Sequence, residues 1–155
     1  MILKELRIDS WVGDVTNCYI VQDEKSKETM VIDPAGDVDK IIEMLDILQA
    51  KLKYIYLTHC HGDHIGGVKE LKERYGGTIV AQRAAAENLR DSNINLTTYI
   101  GNKGLTIEVD ARVDDEDLLH LGELEFKVIH TPGHTSGGSC LFFVGEKKIF
   151  FGGTF

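Results

Sequence analysis

Basic charge is scarce in this chain. Seventeen lysines and arginines stand against twenty-five aspartates and glutamates, giving a formal net charge of −8 and a pI near 5.2. A protein that grips nucleic acid through its phosphates needs the opposite sign, so nucleic acid is not expected as a bulk partner. Cysteine is sparse as well: Cys18, Cys60 and Cys140 are an odd number at wide spacing. That is no disulfide framework, and it suits a reducing compartment. Long apolar runs are missing. None approaches the roughly 20 residues that span a bilayer, so no membrane partner is expected. The opening MILKELRIDSW carries charge where a secretory signal keeps its apolar stretch. The expected location is the cytoplasm. A Gly-rich phosphate loop, a Gly-x-Ser-x-Gly nucleophile turn and a Cys-x-x-Cys pair are also absent.

What is present is an ordinary globular balance, 43% hydrophobic and 27% charged over 155 residues, which excludes collagen-like and disordered classes. The length suits one domain, residues 1–155, with about 70% of the unfolded surface buried on folding. Ile2 to Ile8 reads as a strand. Asn17 to Gln22 and Thr29 to Asp33 flank a polar turn and read as a hairpin. Asp37 or Asp39 is placed to cap a helix running to about Ala50, with Ile41, Ile42, Leu45 and Leu48 on its apolar face. Lys53 to Thr58 is a buried strand. A helix from about His64 to Tyr75 is stopped by Gly76-Gly77. Thr78 to Ala81 is a strand and Ala84 to Arg90 a helix, while residues 91–103 lack a period and read as a loop. Glu123 to Ile129 alternates, and Cys140 to Val144 with Lys148 to Phe151 forms a hairpin. The order predicts an α+β fold, a mixed sheet with helices packed on it.

Six histidines are present, and five fall into two short clusters: His59, His61 and His64, then His130 and His134. The spacing of His59 and His61, just past a strand, lets both imidazoles face the same way. Asp63 and His64 reach the same region from the turn that follows. Imidazole nitrogen and carboxylate oxygen are ligands that zinc and iron accept at open catalytic sites. Each residue also has a plainer reading. Asp63 could cap the following helix, His64 could be a first-turn surface residue, and His134 could ride on a Pro-Gly turn. The combined order His-x-His-x-Asp-His, between a buried strand and a helix ending in Gly-Gly, favours metal. His130 reads as structural, His120 as a surface residue, and Cys60 as pointing away from its neighbours' side.

Thr58-His59-Cys60-His61-Gly62-Asp63-His64-Ile65-Gly66-Gly67 resembles the signature of the metallo-β-lactamase superfamily. His130-Thr131-Pro132-Gly133-His134-Thr135 is similar to the second motif of its glyoxalase II-like (hydroxyacylglutathione hydrolase-like) branch, and Val31-Ile32-Asp33-Pro34 matches a further pattern of that branch. The resemblance implies a four-layer αββα sandwich, a metal centre at one edge of two sheets, and hydrolysis by a metal-bound hydroxide. Carried over, His59, His61 and His134 hold the first metal, and Asp63 and His64 contribute to a second. Asp63 also helps place the attacking water. Asp33 becomes a carboxylate that orients a ligand imidazole.

Two departures accompany the resemblance. Gly153 stands where the family places a metal-bridging aspartate, and the sequence stops at Phe155, before the family's last strands and helices. The expectation is therefore a sandwich incomplete at its C-terminus. It would bind one ion, zinc first, with iron or manganese suiting the same ligands. The function implied is hydrolysis of small-molecule thioester or other acyl substrates, with impaired activity. The alternative is a non-catalytic metal-binding or self-associating remnant of the fold. A dioxygenase sharing the motifs ranks last, since it would need the carboxylate missing at Gly153. An uncovered sheet edge would favour a homo-oligomer or a complementing chain.

Overall fold

A computed structural model of the chain describes residues 1–9, 15–36, 38–58, 66–90, 107–130, 139–146 and 148–150. Strands Ile2–Asp9 (β1), Val15–Gln22 (β2) and Glu28–Ile32 (β3) make an antiparallel meander. The β2–β3 turn is closed by Asp23, whose carboxylate accepts from the backbone N–H and hydroxyl of Ser26 at 3.1 and 2.7 Å. Beyond β3 the sheet continues in parallel through Lys51–Leu57 (β4), Thr78–Gln82 (β5) and Ala111–Val113 (β6). Parallel neighbours need crossovers, and helices Asp39–Ile47 (α1) and Val68–Tyr75 (α2) supply the first two. A short helix, Arg83–Asn88 (α3), follows β5. Strand order across this six-stranded sheet follows the chain. A second, antiparallel sheet runs in the order β10-β9-β8-β7, from Leu118–Leu121 (β7), Leu124–His130 (β8), Ser139–Phe143 (β9) and Lys148–Phe150 (β10).

Alternation along the strands divides the core in two. Ile55 and Leu57 of β4 face the helices, where they meet Ile41, Leu45, Val68 and Leu71. Tyr56, between them, faces the other way, into a layer with Met30, Ile32, Phe126, Val128 and Leu141. Both faces of the six-stranded sheet are thus covered, which is why β3 reads as a continuous apolar run rather than an alternating one. The sequence is helix layer, sheet, sheet. Of the αββα order, the described residues supply these three layers.

Several boundaries differ from expectation. Helix α2 starts at Val68 instead of His64, because Gly66 and Gly67 form a turn. The Gly67 N–H donates to the Pro34 carbonyl at 2.7 Å. A Cβ on Gly67 would lie 2.5 Å from Val38 Cγ1 and 3.0 Å from the Gly36 carbonyl, so this close approach requires glycine. Helix α1 is capped at Val38, with Asp39 in its first turn, and ends at Ile47. Strands β6 and β7 have no counterpart in the sequence pattern. They are three and four residues long, too short for a periodic signal. Asp37, residues 91–103 and Phe151 lie outside the described residues.

Candidate metal centre

The carboxyl ends of β3 and β4 meet the end of β8 and the start of β9 at one corner of the sandwich. Open sheets with parallel strands commonly bind ligands at that end. Asp33, directly after β3, is fully buried and has a left-handed φ of 56°, a conformation that aspartate tolerates better than most residues. Its backbone N–H donates to the Tyr56 carbonyl at 3.0 Å. Its carboxylate accepts from the Thr58 N–H at 2.9 Å and from the Thr58 hydroxyl at 2.6 Å. Asp33 therefore fixes the residue that precedes His59.

Thr58 in turn joins the second sheet. Its carbonyl accepts from the Ser139 N–H at 2.7 Å, and the hydroxyls of Tyr56 and Ser139 are 2.7 Å apart. Ser139 lies opposite His130 in the β8–β9 ladder, so the two residues that flank 131–138 are neighbours. The His130 N–H is held by the Asp115 carboxylate at 2.8 Å. One hydrogen bond thus joins the residue before His59 to Ser139, which follows the stretch that carries His134 and faces His130 across the ladder.

The local electrostatics favour protonated neighbours. Burial pushes the Cys18 thiol well above its ordinary pKa, and the negative charge of Asp33 adds to that. Burial likewise raises the Tyr56 phenol against the lowering effect of its bond to Ser139, and it raises Cys140. All three stay uncharged at neutral pH. Neither Cys18 nor Cys140 has the lowered pKa of a nucleophile or a metal-bound thiolate.

His59, Cys60, His61, Asp63 and His64 fall in residues 59–65, His134 in residues 131–138, and Gly153 in residues 151–155, all outside the described residues. Among the described residues, no group of three or more His, Cys, Asp or Glu could hold a metal. The plain reading of Asp63 as the cap of α2 is overturned, since Gly67 occupies that position and offers no side-chain bond. His120 is exposed and pairs with Glu125 at 3.6 Å, as expected of a surface residue. Sequence reasoning missed Tyr56 and Ser139. A buried tyrosine needs a hydroxyl partner, but nothing in the sequence says which residue 83 positions away supplies it.

The chain matches the metallo-beta-lactamase superfamily over residues 11–155, and it belongs to that family. It is 35% identical over 136 residues to a hydroxyacylglutathione hydrolase of Pelagibacter ubique, covering 88% of this chain and 49% of the relative. It is also 30% identical to a Bacillus subtilis protein described as "Probable polyketide biosynthesis zinc-dependent hydrolase PksB", covering 92% of this chain and 56% of that one. Among solved structures, the BLEG-1 B3 metallo-beta-lactamase superposes with a TM-score of 0.83 at 27% identity, over 96% of this chain and 70% of that one. ETHE1 from Myxococcus xanthus superposes at 0.71 and 26% identity, over 92% and 54%. The α+β metallo-β-lactamase fold follows. The chain spans about half the length of the curated relatives it matches. No helix among the described residues is long and apolar enough to cross a membrane.

Proposed function

We propose that this chain carries the metal site of a hydrolase acting on small thioester or other acyl substrates. The observation that supports it best is the 2.7 Å bond from the Ser139 N–H to the Thr58 carbonyl. It joins the ends of the two histidine-bearing stretches at one corner of the sandwich. The donor set fits a borderline cation: His59, His61 and His134 would hold one ion, with Asp63 and His64 as further donors. A bound zinc or iron supplies Lewis acidity and a nucleophile drawn from water at neutral pH. The protein's own part is orientation. Asp33 holds Thr58, Thr58 sets the start of the first stretch, and Asp63 would help place the attacking water. Relatives named as hydroxyacylglutathione hydrolases support the thioester class.

Gly153 offers no side-chain donor where the resemblance places a bridging carboxylate, so one ion per chain is the expected load. The same residue favours a second reading, a metal-binding domain with little or no turnover. Metal content by plasma mass spectrometry, on protein purified without added metal, tests the site. Close to one zinc or iron per chain, lost in His59→Ala and His134→Ala, is the expected result. No metal even after reconstitution overturns it. Hydrolysis of an acylglutathione by the loaded protein then separates the two readings.

Association with a second copy of the chain is part of the proposal. Leu118 in the edge strand β7 and Val144 in the turn after β9 are 46% and 40% exposed. A clean monomer by light scattering at micromolar concentration would count against it.

A further inference from the structure

The layer between the two sheets is apolar almost throughout, filled by Met30, Ile32, Phe126, Val128, Leu141 and Phe143. At the corner described above, the filling changes. Tyr56 and Ser139 are 0% and 3% exposed, and their hydroxyls meet at 2.7 Å across the two sheets. Stability alone does not call for this pair. Burying two hydroxyls costs free energy that their mutual bond only roughly offsets, and apolar groups of the same shape can be as stable or better. A hydrogen bond adds direction and a fixed distance, which methyl contacts do not. Here it sets where β9 begins relative to the end of β4. Leu57, Thr58 and then His59 follow Tyr56 on one side, and residues 131–138 precede Ser139 on the other.

We propose that Tyr56 and Ser139 are positioning residues, whose hydroxyl–hydroxyl bond sets the spacing of the two histidine-bearing stretches and so the affinity of the metal site. The inference rests on the metal-site reading above. Neither residue need touch the ion or the substrate.

Three variants separate positioning from plain structural support: Tyr56→Phe, Ser139→Ala, and the two combined. Each is titrated with cobalt(II), read by visible absorption, and unfolded in urea without metal. Each single variant leaves one buried hydroxyl without its partner, so both lose stability. The double variant removes both hydroxyls and regains much of it. Cobalt affinity should behave differently, falling about tenfold in both singles, the lower end of what outer partners of metal ligands contribute, and staying low in the double. Ser139→Thr, which keeps a hydroxyl, should bind cobalt like the parent. Unchanged affinity in the singles, or affinity that recovers with stability in the double, overturns the inference. A parent protein that gives no cobalt spectrum at all is a different result, and it overturns the metal-site reading first.

Discussion

Asp33 shows how much one buried residue can organise. It holds a left-handed backbone conformation, and its carboxylate accepts two hydrogen bonds from Thr58. Asn tolerates that conformation and retains one acceptor, whereas Ala does neither. Asp33→Ala should lower stability by about 3 kcal/mol in urea unfolding, since charge-assisted buried bonds are worth about 1.5–3 kcal/mol each. Asp33→Asn should cost roughly half of that by the same reasoning. The burial-raised thiols give a second prediction at this scale. Cys18 and Cys140 should resist iodoacetamide in the native protein at pH 7.5, a round value about one unit below the ordinary thiol pKa. Both should be alkylated in urea, and peptide mass spectrometry reads the difference. Rapid native labelling of either would mean that the corner opens readily.

At the scale of elements, the entry to α2 matters most. The tight contact of Gly67 with Val38, Gly36 and Pro34 fixes the start of α2 against the chain that follows β3. Gly67→Ala forces a shift of backbone or of Val38, and overpacking of that kind costs about 1–3 kcal/mol. The chemical-denaturation midpoint should fall accordingly, and the loss of metal affinity should accompany it. Helix α3 is started by Gln82, whose side-chain oxygen accepts from the Ala84 N–H at 2.7 Å. Gln82→Ala should cost about 1 kcal/mol, the usual worth of a cap. These contacts were not legible beforehand. The sequence pattern starts this helix near His64, yet α2 begins at Val68, after the chain has passed the close contact of Gly67 with Pro34, Gly36 and Val38.

The whole molecule should unfold as one unit. Residues of β4 alternate between the helix-side and inter-sheet cores, so neither core persists without the strands of the other. Calorimetry and tryptophan fluorescence should report a single shared transition, and two separated transitions would refute the one-domain reading. Acid should weaken the fold in a predictable window. Two bonds from Ser26 hold the Asp23 carboxyl below its usual range, and the Arg83 guanidinium does the same for Asp114. Burial would raise Asp110, but the Lys72 ammonium and the Ile79 N–H more than offset it, and its pKa is also lowered. Such groups bind fewer protons folded than unfolded. Their stabilisation is complete above the unfolded value of about 3.9 and is lost as pH falls through the lower folded values. Asp23→Asn should flatten the low-pH limb of the stability profile, while leaving the slope above pH 6, a round value well clear of the window at about 3.9, unchanged.

Local patterns were enough to establish the family, the order of most strands and helices, and the two histidine clusters, because each depends on residues close together in the chain. Hydrophobic alternation, turn residues and motif spacing are short-range signals. The pairing of Tyr56 with Ser139, the close approach of Gly67 to Pro34 and the short strands β6 and β7 are decided differently. They arise only when two sheets stack and bring distant backbone groups within bonding distance, and a buried hydroxyl or N–H must then take whichever partner the packing presents. That is why the candidate ligands could be named from the sequence, while the contacts joining the stretches that carry them emerged only from the tertiary structure.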